Sequence, residues 1–139
     1  MTFSSRNLRI LAQSFRENHH LVLPEHLNQC GFLFGGYLMM WVDKIACMAA
    51  SLDFRECHFV TVGTKEFAFH RSVRKGAILS LGTKQIHRGK TSVRYFENVL
   101  REDEEIFSTE VTQVGVDEPG QKQSFPNGKF FVSLPLPIL

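Results

Sequence analysis

The chain has 139 residues, 43% of them hydrophobic and 22% charged, the mix of a folded domain rather than a disordered segment. That length fits one domain and leaves little room for two. A net charge of +2 is too small to argue for a nucleic-acid partner, and residues 1–25, interrupted by Arg6, Arg9 and Arg16, hold no apolar stretch long enough for a signal peptide.

Cys30, Cys47 and Cys57 form no CxxC pair, so reduced thiols in a cytoplasmic protein are expected. Cys47 sits in an apolar run and reads as a small core residue. The longest apolar segment runs from Gly31 to Leu52, but Asp43 and Lys44 near its middle argue against a membrane span.

In chain order, Leu8 to Phe15 is compatible with a short helix or the start of a strand. Leu21 to Leu23 is extended and stops at Pro24, and a loop follows through Gly31. Tyr37 to Leu52 reads as a helix, free of proline and internal glycine and rich in Leu, Met and Ala. It is apolar almost all round, which predicts burial. Phe59 to Phe69 is rich in Val, Thr and Phe. Ile78–Ile86, Ser92–Leu100 and Ile106–Val116 are each of strand length, separated by turn-like Arg74-Lys75-Gly76, Arg88-Gly89-Lys90 and Glu102-Asp103-Glu104-Glu105. This order predicts an α+β architecture, one long helix wrapped by a curved antiparallel sheet. Residues 12–125 make the domain, and 126–139, with Pro126, Gly128, Pro135 and Pro137, an irregular tail with a short strand at Lys129–Ser133.

Asp43 is the most informative residue. At about 100° per residue its neighbours on the helix are Gly36, Met39, Met40, Ala46, Cys47 and Ala50. A carboxylate stripped of water there costs several kcal/mol, roughly, unless a partner or a function accounts for it. A structural ion pair or a loop cap is an equal alternative on this ground alone. Phe34-Gly35-Gly36 stands directly before the helix. Two glycines at a helix N-terminus leave approachable backbone N–H groups that suit a developing oxyanion, although a tight turn for close packing also explains them. Gly36 and Asp43 are separated by roughly 10 Å along the axis, so one carbonyl hardly touches both. Two antiparallel copies of the helix supply one group each, which predicts a site at a two-fold interface.

His26-Leu27-Asn28-Gln29-Cys30-Gly31-Phe32-Leu33-Phe34-Gly35-Gly36, followed by Asp43, resembles the hotdog-fold acyl-CoA thioesterase family. Its pattern of Asn, two residues, Gly, two residues, Phe-Gly-Gly, six residues, Asp is matched throughout. Phe59-Val60-Thr61, Phe69, Val73, Gly76 and Gly89-Lys90-Thr91-Ser92 extend the resemblance across residues 20–116. Ser72 replaces a usual proline and His70 a usual apolar residue, departures that bear on the acyl pocket.

The resemblance implies a hotdog fold that hydrolyses acyl-CoA to a carboxylic acid and CoA. Asp43 acts as general base on water or as nucleophile through an anhydride. Asn28, from the opposite subunit, holds the water or the carbonyl, where a loop asparagine stabilising a turn is the plainer account. Thr61, Phe34 and Val60 line the substrate site. A dimer is the minimal active unit, and three dimers make a hexamer, as in similar proteins. No cofactor is implied, since CoA belongs to substrate and product.

Arg71, Arg74, Lys75, Lys84, Arg88, Lys90 and Arg94 share a stretch without Asp or Glu, a basic rim suited to the phosphates of CoA or to protecting strand edges. The turn Arg88, Gly89, Lys90, Thr91 and Ser92 is its best candidate. The six histidines show no metal-binding spacing. Competing readings are a non-catalytic acyl-CoA-binding hotdog protein, an acyl-carrier-protein thioesterase, and a dehydratase using His26.

Overall fold

A computed structural model describes residues 15–117 and 120–125. The expectations for Leu8–Ser14, for the tail at 126–139 and for its short strand lie outside the described residues. The elements run β1 (Phe15–Leu21), a short 3-10 turn (Pro24–His26), α1 (Gly35–Asp53), β2 (His58–Thr64), β3 (Ala68–Phe69), β4 (Ile78–Arg88), β5 (Ser92–Arg101) and β6 (Glu104–Val116). The strands form one antiparallel sheet in the order β1-β4-β5-β6-β2, with β3 beside β2 on the same edge of β6. This is the expected hotdog architecture, one long helix against a six-stranded sheet.

Helix α1 begins at Gly35, two residues before the apolar run, because neither glycine is forced out of helical geometry at the first turn. It ends at Asp53, where the Phe54 amide closes on the Ala50 carbonyl. The Phe59–Phe69 segment is two strands rather than one. A bulge at Val62 shifts its register on β6, and the chain then crosses Lys65–Phe67 before pairing again at Ala68.

Leu38, Trp41, Val42, Ile45 and Ala46 of α1 pack on Leu79, Leu81, Val99, Phe107 and Val111 of the sheet. A second cluster joins Ala49, Ala50 and Phe54 to Val93, Tyr95 and Phe125. Phe125 reaches it because the chain turns back after β6, the Gln123 amide bonding the Gly115 carbonyl at 2.8 Å. All-round burial of the helix is not what the single chain shows. Met40 and Met48 are about half exposed, since one sheet covers only one face of a helix. No helix among the described residues is long and apolar enough to cross a membrane.

The inward face of the sheet also carries a carboxyl group. Glu97 of β5 is 1% exposed and accepts a hydrogen bond from the Thr83 hydroxyl at 2.7 Å, while its Oε1 has no partner. Burial pushes its pKa up from 4.5 to about 8, against the smaller opposing effect of Thr83. The folded chain therefore keeps a proton that the unfolded chain releases near pH 4.5. The stability tied to that proton is complete below pH 4.5 and is lost as pH rises through about 8. Thermal unfolding between pH 5 and pH 8 should show a falling midpoint in the wild type, and Glu97→Gln should flatten that fall. At pH 8 the variant should be more stable by roughly 1 kcal/mol or more, the cost of a buried proton mismatch.

Candidate active site on the open face of the helix

Asp43 lies on the half-covered side of α1, and the neighbouring edge strand β2 meets it there. The Thr61 hydroxyl donates a hydrogen bond to Asp43 Oδ1. Gln113 of β6, register partner of Thr61, directs its side-chain Nε2 to the Thr61 oxygen at 2.6 Å. Among the described residues no basic side chain pairs with Asp43. The structural ion pair that would have explained this carboxylate is absent from that set. Gln113 itself escaped the sequence reading. Its one signal is a long polar side chain in the inward alternation Phe107, Thr109, Val111, Gln113.

The other predicted residues sit at the far end of the helix. Asn28 closes a tight loop, its Oδ1 accepting from the amides of Cys30 at 2.8 Å and Phe32 at 3.1 Å. Gly31 takes a φ of +83° at the tip of this loop, a conformation that favours glycine. The turn-forming role of Asn28 is thus realised through Oδ1. Gly35 and Gly36 form the first turn of α1, which has no side-chain cap. A Cβ on Gly36 would approach the Phe34 ring to 2.9 Å, so a larger residue there would displace that exposed side chain. A cavity of about 330 Å³ opens beside Gly35, lined by Phe32, Phe69, His70, Arg71 and Val73 among others. That volume is within the range of small-molecule sites. No hydrogen bond joins Asp43 to Asn28, Gly35 or Gly36. The seven-residue separation read from the sequence therefore stands within one chain.

Phe34 and Val60 are exposed, and Val62 beside the latter is more so. The Arg88 to Ser92 turn links β4 and β5, closed by the Gly89 amide on the Ser92 carbonyl at 2.8 Å. Its Thr91 carbonyl accepts from Gly115 and its Lys90 carbonyl from Phe125, each at 2.8 Å. The Arg88 guanidinium lies over the Phe54 and Phe125 rings, at 5.2 and 5.6 Å. Lys90 is exposed, and Thr91 and Ser92 are partly so. His26 packs edge-on to Tyr37 and Trp41, its Nδ1 accepting the Leu23 amide at 3.0 Å. This contact set gives His26 a packing role in the helix entry. No group of three His, Cys, Asp or Glu among the described residues is arranged to hold a metal.

A second aspartate on α1 serves as a contrast. Asp53 is 7% exposed and fully engaged, by Arg16 at 2.7 Å, the Tyr95 hydroxyl at 2.7 Å and Gln85 Nε2 at 3.1 Å. Burial, then the Asp53 charge, push the Tyr95 hydroxyl far above its ordinary range, so it stays a donor. This network ties the helix end to β1, β4 and β5, and nothing in the local sequence marks it. Asp53→Ala should lower unfolding stability by about 3 kcal/mol or more, because it strands Arg16 and Tyr95. Asp43→Ala, at a partly buried position without a basic partner among the described residues, should change chemical denaturation by under about 1 kcal/mol.

The model of the thioesterase superfamily matches residues 30–108 of this chain. Acyl-coenzyme A thioesterase 11 of Mus musculus is 29% identical, over 79% of this chain and 20% of that protein. An uncharacterised acyl-CoA thioester hydrolase of Zymomonas mobilis is 32% identical, over 53% of this chain and 49% of its own length. The chain thus spans about a fifth and about half of the curated relatives that it matches. Among solved structures, an apo-hexameric acyl-CoA thioesterase superposes with a TM-score of 0.74 at 29% identity, covering 83% of this chain and 77% of the other.

Proposed function

We propose that this chain, which belongs to the thioesterase superfamily, hydrolyses the thioester of an acyl-CoA to a carboxylic acid and CoA. The observation that carries the reading is Asp43, a carboxylate without a basic partner among the described residues, held at one oxygen by Thr61 on an open face. Activity, substrate and assembly are all part of this proposal, and the similarity to named acyl-CoA thioesterases and hydrolases supports them.

Chemistry follows from what each group can do. Asp43 removes a proton from water attacking the thioester carbon, or attacks that carbon itself to give an anhydride that water then opens; in either route the C–S bond breaks and CoA leaves as a thiolate that takes up the proton released from water. Charge develops on the carbonyl oxygen in either route. Backbone N–H groups at Gly35 and Gly36, at the positive end of α1, are suited to stabilise it. Asn28 Nδ2 orients the water or the carbonyl.

These groups work together across two copies. In one chain Gly36 and Asp43 stand roughly 10 Å apart on the same helix, too far for one carbonyl. The exposed Met40 and Met48 of α1 and Val60 and Val62 of edge strand β2 leave apolar surface on the helix and on the sheet edge. A second copy covering that surface brings its own Asn28 loop and helix start toward Asp43. A dimer is then the minimal active unit, and a hexamer of three dimers agrees with the hexameric relative. Phe34, Val60 and Thr61 border the substrate, and the cavity beside Gly35 takes one arm of it. The phosphates of CoA lie toward the Arg88-Gly89-Lys90-Thr91-Ser92 turn, with Lys90 as its exposed cation. The reaction calls for no cofactor, and the cytoplasm is the proposed location.

Two measurements check this reading. Free-thiol release from a panel of acyl-CoAs should fall about a hundredfold or more in Asp43→Ala. Binding without turnover, or release only from acyl-carrier protein, would point instead to the competing readings. Mixing Asp43→Ala with Asn28→Ala subunits should restore about a quarter of wild-type activity, because half of the mixed dimers' sites are intact. Absence of recovery after proven subunit exchange would exclude the shared site.

A further inference from the structure

The hydrogen-bond directions around Thr61 follow from counting hydrogens. A threonine hydroxyl has one hydrogen to give and lone pairs to receive. An ionised carboxylate only accepts. Thr61 therefore gives its hydrogen to Asp43 Oδ1, and whatever else touches its oxygen must be a donor. Gln113 is that second neighbour, at 2.6 Å. Its amide must turn Nε2 toward Thr61, for the opposite orientation would set two acceptors face to face. The consequence shows at the other end of the same group, where Gln113 Oε1 is buried without a partner in a residue that is 0% exposed. Such an orphan costs about 1–3 kcal/mol, and an apolar residue would avoid it.

We infer that Gln113 is a positioning residue for Asp43. By donating to Thr61 it fixes the direction of the Thr61 hydroxyl, so that the hydroxyl always points at the carboxylate. Asp43 is then held through Oδ1, and Oδ2 is left for the water or the thioester. This role rests on the reading of Asp43 proposed above. It goes beyond that reading by assigning a function to a side chain that never meets the substrate. It also accounts for why the inward alternation of β6 tolerates an unsatisfied buried oxygen at this one step.

The test exchanges the donor while keeping the shape. Gln113→Met removes it, and should lower kcat about tenfold, the worth of one hydrogen bond, with KM within about twofold. Gln113→Glu keeps the size but donates only while protonated. Its kcat relative to wild type should fall as pH rises and the new carboxyl ionises, because the Thr61 hydroxyl then turns away from Asp43. A merely structural residue would give no such pH-dependent ratio. Wild-type kcat and pH profile in both variants, with Asp43→Ala inactive, would overturn the positioning role while leaving the thioesterase reading intact. A wild type inactive on every acyl-CoA would overturn the thioesterase reading instead. The contact is then decided by nitrogen-15 NMR of the side-chain amide. One Gln113 amide proton should shift in Thr61→Val, and an unchanged signal would overturn the inference. The same NMR comparison decides it if the Glu variant fails to fold.

Discussion

One sheet can cover one face of a helix, and the rest of this molecule follows from that limit. Leu38, Trp41, Val42, Ile45 and Ala49 take the covered side of α1. The opposite side keeps Met40, Asp43 and Met48 within reach of solvent. An apolar helix half left open, beside an edge strand that also exposes valines, is unfinished as a monomer surface. The same geometry separates the carboxylate from the glycine amides by two helical turns. The incomplete burial and the distance between Asp43 and the glycines are two views of one constraint, and the second copy proposed above would answer both.

The two aspartates of α1 show how environment assigns roles. Asp53 is closed off by a cation, a phenol and an amide, each at hydrogen-bond distance. Every lone pair that matters is spent on holding the helix to the sheet. Asp43 receives one hydrogen bond among the described residues, from a hydroxyl that is itself held from behind. It keeps one oxygen free and no counter-charge among the described residues. Identical chemistry at two points on one helix thus gives an anchor in one place and, in the other, a carboxylate with an oxygen to spare, the one proposed above as the reactive group.

The inward face of the sheet is less apolar than a simple core. Thr83 with Glu97, Tyr95 with Gln85, and Gln113 with Thr61 place polar pairs on strands that otherwise point Leu, Val and Phe at the helix. Each pair satisfies most of its donors across neighbouring strands, which is what makes such groups tolerable inside. Two oxygens stay unpaired, on Glu97 and Gln113. The first belongs to a carboxyl that burial keeps protonated. The second belongs to an amide whose nitrogen donates to Thr61. Buried polar atoms left over in a sheet are therefore worth following to whatever their other end is doing.

The sequence by itself determined the long helix, the run of strands after it and the unusual carboxylate at Asp43, but not the first strand, which spans Phe15–Leu21 rather than Leu21–Leu23. Helix and strand periods are local properties, and the break at Pro24, the turn at Gly89 and the glycine pair before α1 are read from neighbours along the chain. The Asn28 to Asp43 spacing was legible for the same reason. Tertiary structure decided the rest. It split Phe59–Phe69 into two strands through a bulge, and it left one side of α1 open. It also brought Thr61 to Asp43 across 18 residues, and Gln113 to Thr61 across 52. Those meetings depend on strand register and on which sheet edge faces the helix. Neither is encoded in any short window of sequence, because register is set by how whole strands pack.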